Sequence, residues 1–207
     1  MRKILILIIS ALPIIATAQD NTWEQPEEPE TEVAKAYANA KYLTEGAVPV
    51  VDGRVTFSTT ISAPNLSKQE IYKHIGRYLS KLVREKNQFA ESNLSISDSA
   101  KGLLVATVHE WLVFKNSALT LDQTKLNYLL KAECSNGEAK IVITRISYLY
   151  DVERDAIKYT AEEWITDKNA VNKKRTKLLP ISGKFRKKTI DRKDFLFSKL
   201  ESILKEN

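Results

Sequence analysis

Residues 54–61, RVTFSTTI, alternate with period two. Val55, Phe57, Thr59 and Ile61 fall on one side, and Arg54, Thr56, Ser58 and Thr60 on the other. Strict alternation with β-branched residues predicts a half-buried strand. The period then changes. Ile71, Ile75, Tyr78, Leu79, Leu82 and Val83 recur at helical spacing, with Lys68, Lys73, Arg77, Lys81 and Arg84 off that stripe. Ser67 and Glu70 stand at the two positions of a capping box, and Leu66 and Ile71 at those of a hydrophobic staple. The spacing predicts a helix over 67–86 that lies on a sheet.

Residues 92–98 and 101–115 read as consecutive strands joined by a turn from Asp98 to Gly102. The run from Leu119 to Tyr150 predicts a long hairpin, because Asn136-Gly137 is the favoured two-residue turn. That turn sets the register by arithmetic. Ser135 pairs Glu138, Cys134 faces Ala139, Ala132 faces Ile141 and Leu130 faces Ile143. On the other side Glu133 meets Lys140, a pair of opposite charge. After residue 159 come two short helices and a basic connector, Thr176 to Lys188, holding Pro180 and Gly183. A final helix is expected from about 190 to 205, with Ile190, Phe197, Leu200, Ile203 and Leu204 on its stripe. The order β-α-β-β-β-β-α predicts an α+β fold, a curved antiparallel sheet gripping long helices on one face.

The N-terminal segment has a different pattern. In MRKILILIISALPIIATA, Arg2 and Lys3 precede a short apolar run, and Ala16-Thr17-Ala18 closes it. This reads as a secretory signal over 1–18, with an apolar run too short to cross a bilayer. Residues 19–46 are expected to form an acidic, mostly disordered leader, and 47–207 a single domain. Residues 19–32 carry Asp20, Glu24, Glu27, Glu28, Glu30 and Glu32, and no base. The expectation is an exported protein, periplasmic or at the cell surface, with no transmembrane segment after signal cleavage. Cys134 is the one cysteine, so no internal disulfide is possible. On a strand pattern it reads as a small core residue.

Charge sharpens the picture. The 207-residue chain is +6 overall. Setting aside the two bases of the signal and the six acids of the leader leaves +10 on residues 33–207. Residues 168–193 hold eleven Lys and Arg against Asp191 alone. Lys173, Lys174, Arg175, Lys177, Lys184, Arg186, Lys187 and Lys188 form the candidate site, with Arg192 and Lys193 continuing the run. Such a field attracts anions. Export argues against nucleic acid, so the expected partner is an anionic envelope component or an acidic protein. The chain's own acidic leader is a further candidate.

Other chemistry is scarce. His109-Glu110-Trp111 lacks the second histidine of a zinc-protease helix, and strand alternation sends His109 and Glu110 to opposite faces. There is no phosphate-binding glycine loop and no G-x-S-x-G elbow. Glu162 and Glu163 flank Trp164, but Thr160 and Glu163 match a capping box, which explains the acids without catalysis. No catalytic, cofactor or metal residue is assigned.

AVPVVDGRVTFSTTI, SKQEIY, HEWLVFKNSALTLDQTKLNYLLKAEC, ITRISYLYD, YTAEEWITDK and KLLPISGKFRKKTID together resemble the secreted domain of unknown function 4468 family of Bacteroidetes. The resemblance covers about residues 47–206. It implies a fold like that of the TATA-box-binding protein, of helix-grip character, and an envelope setting. It brings no reaction and no catalytic residue, and fold alone does not imply DNA binding. The expected function is a non-enzymatic binding or interaction module of the cell envelope, contacting its partner through the open sheet face or the basic patch. Tyr148, Tyr150, Trp111 and Trp164 are possible aromatic contacts. The alternatives are a carrier of a small apolar ligand between sheet and helices, and an unrecognised hydrolase.

Overall fold

The Asn136-Gly137 turn organises more than its own hairpin. The computed structural model describes residues 40–117, 120–150 and 155–206. The expected signal and the acidic stretch 19–32 lie outside the described residues. Strand β5 (Thr120–Ser135) and β6 (Glu138–Tyr150) pair in the expected register, Ser135 with Glu138, Glu133 with Lys140 and Leu130 with Ile143. At the tip, Asn136 Oδ1 accepts the Lys68 N–H at 2.9 Å, and the Gly137 N–H donates to the Leu66 carbonyl. Lys68 begins α1 (Lys68–Leu82), whose cap Ser67 forms the full reciprocal box with Glu70. One polar turn thus satisfies a free helix N–H and fixes where α1 starts.

The remaining elements are β1 (Val50–Val51), β2 (Arg54–Ser62), β3 (Asn93–Asp98), β4 (Leu103–Ser117), β7 (Ile157–Thr160), α2 (Ala161–Trp164), α3 (Asp167–Ala170) and α4 (Ser182–Lys205). The sheet runs β1-β2-β6-β5-β4-β3, with β7 also on β6, and its pairings are antiparallel. Register shifts between Leu94 and Ile96, Val113 and Lys115, and Asn127 and Leu129 interrupt three of its ladders. Bulges of this kind bend strands and raise their twist, which produces the expected curvature.

One face of the sheet is covered. Ile71, Ile75, Leu79 and Leu82 of α1, and Phe185, Leu196, Leu200 and Leu204 of α4, pack against Val55, Phe57, Leu112, Leu130, Ile141 and Ile143. Cys134 is buried there, as its strand position implies, and burial pushes its thiol up to about 11.

Two boundaries differ from expectation. Helix α4 begins at Ser182, so much of the expected basic connector is its first two turns. The stripe was hidden because its buried face carries Arg186, Thr189 and Arg192 among the apolar residues. Gly183 permits the entry, since a Cβ there would lie 2.6 Å from Leu178 Cβ. The folded part also reaches upstream of residue 47. Residues 40–43 form a helical turn, and Tyr42 and Val48 belong to the core. Their anchors are side chains far away in sequence, described below.

Gly102, in the turn before β4, has φ of +70°, and a Cβ would sit 2.4 Å from the Cys134 carbonyl oxygen. Its own carbonyl accepts the Cys134 N–H at 2.8 Å. Gly102→Ala is expected to cost about 2 kcal/mol or more, from left-handed strain plus the clash. Urea unfolding checks it through a lowered midpoint at unchanged slope.

Candidate functional site

The segment from Thr160 to Leu178 folds around its own polar side chains. Thr160 Oγ1 accepts the Glu163 N–H and donates to Glu163 Oε2 at 2.7 Å, capping α2. Glu162 reaches across to the sheet, where Oε1 accepts the Val55 N–H at 2.7 Å. Trp164 stacks on Tyr159 at 3.9 Å between centroids and meets Phe185 edge-on at 6.0 Å. Both acids therefore hold structure: Glu163 closes a cap, and Glu162 satisfies the backbone at the start of β2.

Asp167 then gathers three partners. Its carboxylate accepts the Gly46 N–H at 3.0 Å and pairs with Arg175 at 3.1 Å and Arg186 at 2.7 Å. Partial burial pushes this carboxyl up. The Gly46 hydrogen bond and the two guanidiniums outweigh that and hold it below its ordinary value. A depressed folded pKa gives stability that is full above the unfolded value of about 3.9 and is lost as pH falls through the lower folded value. Thermal melts in steps between about pH 5 and pH 2 are expected to fall less steeply for Asp167→Asn than for the wild type.

Beyond α3 the chain makes a tight tip from Val171 to Leu178, closed by a bridge between those two residues. Asn172 holds the tip. Its Oδ1 accepts the N–H groups of Thr176 at 2.8 Å and Lys177 at 3.1 Å, and its Nδ2 donates to Thr176 Oγ1. Arg175 sits at φ of +52°, donates its N–H to the Asn172 carbonyl, and turns its guanidinium back to the Leu43 carbonyl at 2.8 Å. Lys173, Lys174 and Lys177 are exposed, as is Lys168 on α3.

The eight basic residues singled out in the sequence thus divide. Lys173, Lys174 and Lys177 share the exposed tip. Arg175 is its anchor. Arg186 is fully buried rather than on the surface, with Nε on the Tyr42 carbonyl at 2.7 Å and Nη1 on the Ile165 carbonyl at 2.9 Å. Lys184 is held by Asp122 at 2.6 Å and the Tyr150 hydroxyl, over the rings of Phe114 and Tyr150. Lys187 Nζ stands 5.7 Å from the Tyr42 ring centre, and Lys188 is half-buried. A single continuous basic surface does not form, because folding draws the long side chains of Arg175, Lys184 and Arg186 toward carbonyls, carboxylates and rings.

A second polar centre went unnoticed in the sequence. Arg192 pairs in bidentate fashion with Glu110, Nε to Oε1 and Nη2 to Oε2, both at 2.7 Å. Tyr128 and Gln88 donate to the same carboxylate. Strand alternation held the signal: Glu110 lies between Val108 and Leu112, both fully buried. His109 faces the open side, with Nδ1 2.6 Å from Asn127 Oδ1, next to Trp111, which packs on Phe89. Of the four aromatic candidates, Tyr148 is fully buried and donates to or accepts from Thr189, while Tyr150 and Trp164 join the Phe185 cluster.

Beneath α4 lies a small pocket lined by Phe57, Leu126, Ile143, Ile146, Lys193 and Leu196 among others. It has room for about one water, far less than the roughly 300 Å³ at which small-molecule sites begin. Among the described residues no group of three His, Cys, Asp or Glu is placed to hold a metal, and no helix is long and apolar enough to cross a membrane.

Comparison with known proteins bears on the fold. The profile of a domain of unknown function with a TBP-like fold, DUF4468, matches residues 57–149. The crystal structure of a DUF4468 family protein from Bacteroides ovatus is 38% identical, with a TM-score of 0.74, over 80% of this chain and 94% of that one. A TBP-like protein from Parabacteroides distasonis is similar in fold, with a TM-score of 0.61 at 23% identity, over 76% of this chain and 97% of that one. No curated protein matches.

Proposed function

The chain belongs to the DUF4468 family, and from that premise we propose that it is a non-enzymatic, exported binding module that holds an anionic envelope component on Lys173, Lys174 and Lys177. One observation carries this reading. The tip spends Asn172, Arg175 and Thr176 on its own shape and leaves the three lysines exposed. A turn already held by hydrogen bonds loses little conformational freedom on binding, and clustered ammonium groups raise the local concentration of anions. The nearby Asp167 does not cancel their field, because its charge is taken up by Arg175 and Arg186. Lysine acts here as a point charge, which suits phosphate or carboxylate groups of varied geometry.

Vesicles containing phosphatidylglycerol are the test ligand. The protein is expected to sediment with them at low salt and to be released at high salt, while vesicles of phosphatidylcholine alone retain none. The triple variant Lys173→Glu, Lys174→Glu, Lys177→Glu is expected to lose at least tenfold in affinity. Its unfolding free energy should stay within about 0.5 kcal/mol of the wild type, because the three side chains are exposed. Equal retention of the triple variant would sink the proposal.

A further inference from the structure

The described chain begins beside the lysine tip. Arg175, which lies between Lys174 and Lys177, donates to the Leu43 carbonyl, and Asp167 accepts the Gly46 N–H. Arg186 holds the Tyr42 carbonyl from within. Residues 42–46 are therefore bound to the base of the loop that presents Lys173, Lys174 and Lys177. Upstream, residues 19–32 carry six acids and no base. Only residues 33–39 separate them from the anchored turn, a stretch that spans at most about 24 Å at roughly 3.4 Å per residue.

From this juxtaposition we infer that the acidic leader is an intramolecular ligand of the lysine tip, which an external anion must displace. The inference rests on the reading of the tip as an anion site and adds its regulation. Charge complementarity supplies the attraction. The fixed attachment of residues 42–46 supplies the effective concentration, which for a short tether reaches the millimolar range. Individual surface ion pairs are weak and screened by salt. The contact is accordingly loose, exchanges rapidly and yields to a polyanion of higher charge density. Removal of the leader charges then strengthens external binding without any change in the tip.

The test uses the chain from Gln19 onward with Thr31→Cys carrying a nitroxide. Cys134 stays unlabelled, since it is buried and its thiol is pushed up to about 11. The expected result is paramagnetic broadening of the amides of residues 172–178 at low ionic strength, removed by high salt and by the triple lysine-to-glutamate variant. Broadening that ignores salt and charge reversal, or that spares the tip, overturns the inference. So does broadening that also appears when labelled chains are mixed with isotope-labelled, nitroxide-free chains, because the occupant is then a second copy. In parallel, the leader is neutralised by Asp20→Asn with Glu24, Glu27, Glu28, Glu30 and Glu32→Gln. Its affinity for phosphatidylglycerol vesicles at low salt is expected to rise about tenfold. Tip broadening with no vesicle binding in either form leaves the leader contact standing and removes the envelope-binding function. Vesicle binding unaffected by neutralisation, with no broadening, removes the leader contact alone.

Discussion

Glu110→Ala is expected to lower the unfolding free energy by about 3–5 kcal/mol, a larger loss than any surface change in this protein. The reason is the charge left behind. Arg192 has 2% of its side chain exposed, and Glu110 has 1%. Burial disfavours the Arg192 charge, yet the adjacent Glu110 carboxylate raises its pKa above the ordinary value. Without Glu110 the guanidinium would lose the carboxylate that both its Nε and Nη2 bond, and would keep the field of Glu85. Tyr128 loses its acceptor as well. Its phenol is raised well above the ordinary value, first by burial and then by Glu110, so it stays protonated and must donate. In a chain of this size the loss corresponds to a fall of about 10 °C in Tm. Glu110→Leu combined with Arg192→Met is expected to recover most of it, because apolar side chains of similar volume need no counter-charge. Calorimetry on the two single variants and the pair checks this. A double variant no better than Glu110→Ala would show that the network does more than neutralise itself.

Arg186→Met is the second large effect, at about 2–4 kcal/mol. Met fills the volume but makes none of the hydrogen bonds. The carbonyls of Tyr42 and Ile165 and the Asp167 carboxylate would lose a donor inside or beside the core. The damage should be local before it is global. Hydrogen exchange of residues 42–46 is expected to quicken more than that of α1 and the β5–β6 hairpin, because Arg186 holds that segment's backbone carbonyls to α4, beside the Tyr42 hydroxyl on Asp191. Lysine is not a substitute, since its single ammonium cannot serve divergent acceptors as the guanidinium fork does. Arg186→Lys should therefore recover little. Uniform exchange across all elements would mean that Arg186 supports the whole core and has no special hold on the entry segment.

These two arginines also mark where sequence reading stops. The hairpin register followed from Asn136-Gly137 because a two-residue turn leaves one way to pair its flanks. The cap of α1 followed from Ser67 and Glu70 because both reach groups within one helical turn. The start of α4 was missed for the opposite reason. Arg186, Thr189 and Arg192 sit on its buried face, and their types argued for a solvated connector. The lysine tip was half legible. Its charges were plain, but the separation of Lys173, Lys174 and Lys177 from Arg175, Lys184 and Arg186 depended on carbonyls and carboxylates elsewhere.

Local chemistry alone determined the long hairpin, the cap of α1 and the apolar faces of β2, α1, β5 and β6, since each depends on neighbours a few residues away. Tertiary structure decided which charges remain exposed. Arg186 bonds to residue 42 and Arg192 to residue 110. A charged side chain enters a core only when such a distant partner meets it there, because an unpaired buried charge costs far more than its burial gains.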